Sequence, residues 1–239
     1  MAKYPSYIKV NKLCYNTIAG DYEARFRAGL VAKHLVRIIT KALKKNINNE
    51  NYRILELGCG TGNIFAGFME LPDKESYQLY GIDFSENMIK YAKDKHTTAN
   101  IENQNVLSIK NTSSLPFASK DKFDIIIMVA LIHLFPREDA KKILNNIKKI
   151  LNTNGLIYID TTEEFSFRDG EITDKKITDR EGNVVQIVKR LRTKWTEASF
   201  EDFLDECGFE IIQEYSDNHK TTDGAEKVWL QRIVKIKLK

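Results

Sequence analysis

Glu56, Gly58, Gly60 and Gly62 stand at alternate positions in the stretch ILELGCGTGN, residues 54–63. An acid followed by three glycines at the end of an apolar run makes a turn whose backbone a ligand can approach closely. A dinucleotide fingerprint would need its third glycine at position 63, where Asn63 stands, and no Gly-Lys-Ser/Thr follows to make a phosphate loop. The acid points the same way, because a carboxylate at the head of the turn opposes a pyrophosphate and favours a positively charged ligand. Asp83, twenty-three residues after Gly60, ends the run YQLYGID, where a carboxylate can accept both hydroxyls of a ribose.

S-adenosylmethionine (SAM) meets these requirements, since it carries a sulfonium, an ammonium and a ribose but no phosphate. Glu56 would then meet the amino group directly or through water, and Phe84 and Met88 would flank the adenine. An N-cap or surface role for Glu56 is the simpler reading, but an acid ending a buried strand needs a partner. Cys59 reads as a small residue filling the turn rather than a nucleophile. His133, in VALIHLFP just past a fourth apolar run, reads either as a general base facing the methyl-transfer crevice or as a packed loop residue.

These residues need a scaffold of strands followed by helices. Short apolar runs at 53–57, 77–83, 101–106, 123–129 and 156–160 alternate with helical patterns at 62–71, 85–94 and 137–151. Such alternation gives right-handed crossovers and a mainly parallel sheet, a doubly wound α/β fold whose ligand crevice lies at the carboxyl ends of the strands. An amphipathic pattern over residues 17–45 precedes it. Beyond residue 160, EGN between two strand-like runs predicts a β-hairpin within 165–195. A helix is expected from Thr196 to Gly208, and FEIIQEY and KVWLQRIVKIK then form a closing antiparallel pair.

ILELGCGTG, GIDFSENMIKYA, FDIIIMVALIHLF and LNTNGLIYID, in that order, resemble the successive motifs of the class I SAM-dependent methyltransferases. The resemblance covers residues 15–160 closely and the remainder loosely. It implies a seven-stranded sheet of order 3-2-1-4-5-7-6 with the last strand antiparallel and helices on both faces. The implied cofactor is SAM, with S-adenosylhomocysteine (SAH) as product. The N-terminal CYNTIAGDYEARF resembles the cap that many members fold over the cofactor, bringing Tyr15 and Tyr22 to the methionine end, with core packing as the other reading of Tyr22. Arg27 would meet the cofactor's carboxylate or lie on a solvated helix face. Val106 and Ala130 complete the implied cofactor set. Many members have an acid after the third strand for the adenine amino group; Asn105 stands here, and its amide oxygen can accept the same bond uncharged.

Arg190 and Arg192, two apart in VKRLRTKW, share one face of a strand. They read either as guanidinium groups holding an acidic substrate, alongside Tyr22 and His133, or as a charged edge that discourages strand aggregation. The chain of 239 residues is long enough for one domain over 1–239, with a helical cap over 1–45 and the hairpin as a substrate-side insertion. A net charge of +4 with both signs interspersed speaks first to solubility, and the compact chain, the cap and the hairpin, where members of the resembled family carry substrate-covering insertions, imply a small-molecule acceptor, O- or N-methylated, rather than a nucleic acid. A tRNA methyltransferase and a non-catalytic SAM-binding protein are the alternatives. Cys14, Cys59 and Cys207 form neither a disulfide framework nor a metal motif, so a reducing cytoplasm and no metal are expected. No apolar segment is long enough to suggest a membrane, and a monomer or a homodimer is expected.

Overall fold

The computed structural model of the chain describes residues 6–22, 28–163, 170–178, 184–220 and 226–237. Two helices open it, α1 (Ser6–Ile18) and α2 (Ala28–Asn46). The amphipathic pattern expected from residue 17 is thus divided by a 3-10 turn at Ala19–Asp21 among the described residues. In α2, Ala32, Leu35, Val36, Ile39, Ala42 and Leu43 are buried at helical spacing, and Lys44 and Lys45 complement the C-terminal end of its dipole.

The strands follow as β1 (Tyr52–Leu57), β2 (Tyr77–Asp83), β3 (Asn100–Asn103), β4 (Phe123–Met128) and β5 (Leu151–Thr162). Between them lie α3 (Asn63–Met69), α4 (Glu86–Lys95) and α5 (Arg137–Ile147). Then come the hairpin strands β6 (Glu171–Thr178) and β7 (Val184–Arg192), helix α6 (Glu197–Glu206), β8 (Phe209–Lys220) and β9 (Glu226–Ile236). The seven-stranded sheet runs β3-β2-β1-β4-β5-β9-β8. With the separate β6–β7 hairpin set aside, this is the expected order, and β9 lies antiparallel to both of its neighbours.

Every residue of β4 is buried, as befits a parallel strand covered on both faces. Alternate residues go to opposite layers. Leu55, Leu57, Ile126, Met128, Ile157 and Ile159 pack with residues of α5 and α6, while Ile54, Ile125, Ile127 and Tyr158 pack with residues of α2 and α3. Thr196 caps α6 in a reciprocal capping box with Ser199, as its position before the helix predicts. Trp195, fully buried against Phe200 and Phe203 with Arg137 over its ring, fixes the hairpin's exit. The turn residues 181–183 and Arg27 lie outside the described residues.

The hairpin has an inner and an outer face. On the inner face Ile177 and Val188 bury against Cys14, Ile18 and Met88, and Asn11 of α1 accepts the Leu191 N–H at 2.7 Å. Ile172 and Ile187 remain exposed on the outer face. The inner packing sets the hairpin and α1 together over the carboxyl ends of β1, β2 and β4.

Candidate functional site

The glycine turn is shaped by bonds to β2. Gly58 and Cys59 both donate to the Ile82 carbonyl, at 2.8 and 3.0 Å, which folds the chain back after β1. Gly58, Gly60 and Gly62 have φ of 72°, 52° and 83°, which L side chains rarely adopt. A Cβ on Gly58 would lie 2.7 Å from Leu131 Cδ1 and one on Gly62 2.5 Å from His96 Cδ2, whereas at Gly60 the nearest atom is Tyr22 Cε1 at 4.0 Å. Gly60 therefore leaves an open cradle, and the other two glycines allow close packing.

Asp83 faces this cradle from the end of β2. Its Oδ2 accepts the Gly60 N–H at 2.9 Å and its Oδ1 the Ser85 N–H at 2.8 Å, and a carboxylate keeps acceptor capacity beyond these for a ligand. Burial raises its pKa, against the opposing pull of the Ser85, Gly60 and Phe84 N–H groups. Ser85 caps α4 and donates to Asn16 Oδ1 at 2.5 Å, so α1 is tied to the same turn. At its other end α1 is held by Tyr7 to Asp139 and by Asn11 to the Leu134 carbonyl.

These elements form an open cleft above the glycine turn. Of the residues expected to hold a cofactor, Tyr15, Tyr22, Gly58, Gly60, Asp83, Phe84, Met88, Asn105, Val106 and Ala130 line it. Tyr7, Ile8 and Lys12 from α1, and Leu131, Leu134 and Phe135 from the turn after β4, also line it and were not singled out from sequence. Their signal there is weak, since apolar residues in a cap read equally as core.

Glu56 lies behind the glycine turn, 3% exposed, and its Oε2 has no hydrogen-bond partner. Burial raises its pKa well above the usual range, with Asp83 and Asp160 adding repulsion. Asn105 is also buried. Its Oδ1 accepts the Leu107 N–H at 3.0 Å and keeps a second lone pair, and its Nδ2 is buried without a partner. Asn105 thus offers the cleft a donor as well as an acceptor. Cys59 turns toward the sheet, where a Cβ on Gly81 would meet its Sγ at 3.0 Å, and is not part of the cleft wall.

His133 does not line the cleft either. It sits in a 3-10 turn, Ile132–Leu134, 3% exposed, with Nδ1 3.4 Å from Thr161 Oγ1 and its carbonyl accepting the Thr193 N–H at 2.7 Å. The turn brings its Nδ1 to Thr161 of β5.

Asp160, near the end of β5, is a residue that sequence reasoning passed over. It is 2% exposed, and its Oδ1 accepts the Ala130 N–H at 2.6 Å. Burial lifts its pKa to about 7. The signal was present, because Asp160 closes an apolar strand just as Asp83 does.

Arg190 and Arg192 approach from the hairpin. Burial raises the Tyr15 pKa, and both guanidinium groups pull it down, Arg190 also through a hydrogen bond. Arg192 is buried and donates to Thr162 Oγ1, which ties the hairpin to β5. Tyr22 stands between the two signs of charge: burial, Tyr15, Asp83 and Glu56 raise its pKa and Arg190 lowers it. The site therefore has an acidic floor and a cationic roof, with two phenols between.

Residues 48–216 match the model of the family described as methyltransferase domain. Carboxy-S-adenosyl-L-methionine synthase 1 of Yersinia pseudotuberculosis is 28% identical over 134 residues, 54% of this chain and 52% of that protein. Demethylmenaquinone methyltransferase of Lactococcus lactis is 29% identical over 196 residues, 80% of this chain and 75% of that one. The first matched stretches span about half the length of the curated relatives concerned, 42% and 52%. A crystal structure of an S-adenosylmethionine-dependent methyltransferase from Clostridium acetobutylicum superposes with a TM-score of 0.64 at 18% identity, over 94% of this chain and 100% of that one. By its family match and its sheet order, the chain belongs to the methyltransferase domain family, built on the class I SAM-dependent methyltransferase fold.

Proposed function

We propose that the chain binds SAM in this cleft and transfers its methyl group to an O or N atom of a small, anionic acceptor. The observation that carries the reading is Glu56, a buried carboxylate with an unpartnered oxygen behind an open glycine cradle. A cation is what such a group lacks. Asp83 keeps acceptor capacity for hydroxyls, and the Asn105 amide has a free donor for a ring nitrogen. When bound, the cofactor supplies a methyl group activated on a sulfonium.

The chain's own residues then position and desolvate the acceptor. Tyr15 and Tyr22, with α1 above them, close the cleft over the glycine turn and exclude water. Arg190 supports an acidic acceptor, because among the described residues it meets the Tyr15 phenol and pairs with no carboxylate. Orientation supplies most of the acceleration for a displacement in which opposite charges disappear. Three buried free cysteines accord with a cytoplasmic setting, and no described helix is long and apolar enough to cross a membrane.

Radiolabelled methyl transfer from SAM to a panel of small carboxylates and their neutral amides tests the reading. Labelling of carboxylates in preference to amides is expected; labelling of amides alone, or of none of the panel, counts against it. Once an acceptor is found, Arg190→Gln should raise its KM by about tenfold or more, the worth of a charge-assisted hydrogen bond, with cofactor affinity unchanged. His133→Asn should keep turnover within about threefold of wild type, because its ring faces Thr161. A general base would instead contribute about 100-fold or more.

A further inference from the structure

We infer that Asp160 is a positioning residue of the cofactor site: it fixes the Ala130 turn, and it carries a proton that departs when a cationic ligand occupies the cleft. This rests on the functional reading above and adds a residue and a pH response to it.

The positioning half is geometric. Ala130 lines the cleft with φ of 52°, the one positive value at a non-glycine residue among those described. An alanine holds that conformation only where its surroundings impose it. Asp160 Oδ1 is that constraint, 2.6 Å from the Ala130 nitrogen. The next residue, Leu131, places its Cδ1 where a side chain on Gly58 would go. Asp160, Ala130, Leu131 and Gly58 thus form a connected path from β5 to the glycine turn.

The proton half follows from the company Asp160 keeps. Glu56, Ile127 and Tyr158 lie abreast in register across β1, β4 and β5, and Asp160 is one pleat further along the same face. From β5, Tyr158 donates to its Oδ2 at 3.1 Å. From β1, Glu56 feels its charge, and Asp83 at the end of β2 repels Glu56 in turn. On β9 its register partner is Gln231, whose amide is held by Asp217 of β8 at 2.7 Å, and His34 of α2 lies 4.0 Å from that same Asp217. Arg232, next to Gln231, belongs to the opposite face and is held by Glu201. Among the described residues no cation pairs with Asp160 or Glu56. Burial lifts Asp160 to about 7, so the ligand-free site is part-protonated near neutrality. An ammonium or sulfonium nearby lowers that value, and the proton passes to solvent. Ligand affinity must then rise with pH below about 7, by up to tenfold per unit, and level off above it.

The test uses SAH, which retains the ammonium, in calorimetry at pH 6, 7 and 8 in two buffers of different ionisation heat. Wild type should bind about fivefold more tightly at pH 7 than at pH 6, with a proton released to buffer. Asp160→Asn keeps an acceptor for Ala130 but removes the charge, and its affinity should rise less steeply with pH than that of wild type, with Glu56 left to titrate. Without ligand, that variant should melt above wild type at pH 8, the gap closing toward pH 5, which a purely structural role would not produce. Should the variant fail to fold, carbon-13 NMR of wild-type carboxyl groups decides: one should titrate near neutrality in the free protein and at least one unit lower with SAH. Binding with the same pH slope in both proteins, or no such titration, overturns the role of Asp160. Failure of wild type to bind SAH overturns the functional reading itself.

Discussion

Replacing Asp83 by alanine should weaken SAM binding by about 100-fold or more, measured by calorimetry at pH 8. The carboxylate offers two charge-assisted hydrogen bonds to ribose hydroxyls, each worth about 1.5–3 kcal/mol. It also receives the Gly60 and Ser85 N–H groups, so its removal releases the cradle on one side and the start of α4 on the other. Asp83→Asn should fare little better, since its NH2 would face one of those backbone donors. Equal affinities for wild type and Asp83→Ala would remove Asp83 from the site.

The second large effect joins stability to function. Glu56→Met should lower cofactor affinity more than tenfold and at the same time stabilise the ligand-free protein by about 1–3 kcal/mol at pH 8, the cost of an unpaired buried polar group. The sign follows from the raised pKa. A carboxyl group whose folded value lies above its unfolded one costs nothing while protonated in both states, and the penalty grows as pH rises toward the folded value. The advantage of the methionine variant should therefore shrink toward pH 4 in urea unfolding. A variant less stable than wild type at pH 8 would show that Glu56 is already satisfied without a ligand.

The parts of the site carried by contiguous residues were legible in the sequence. Glu56, the glycines and Asp83 follow from the chemistry of a turn after a strand, the mainly parallel sheet follows from the alternation of strands and helices, and the sheet order comes from the family resemblance. What depends on register was not. Ala130 meets Asp160 only because Met128 pairs with Ile159, a relation between β4 and β5 that no local pattern states. His133 stands where a base could stand, but a 3-10 turn of three residues decides which way its ring faces. Asn105 lines the cleft, but the bond its Oδ1 accepts from the Leu107 N–H was not legible. The hairpin was readable as a strand pair from its alternation, whereas its inner face is defined by packing against α1, far away in sequence.

The central claim is that the cleft behind the glycine turn holds the cofactor, and a crystal structure with SAH tests it most directly. The account predicts the ribose hydroxyls on Asp83, the amino group on the Glu56 side and the adenine between Phe84 and Met88 near the Asn105 amide. SAH bound elsewhere, or an intact cleft left empty at saturating SAH, would contradict it.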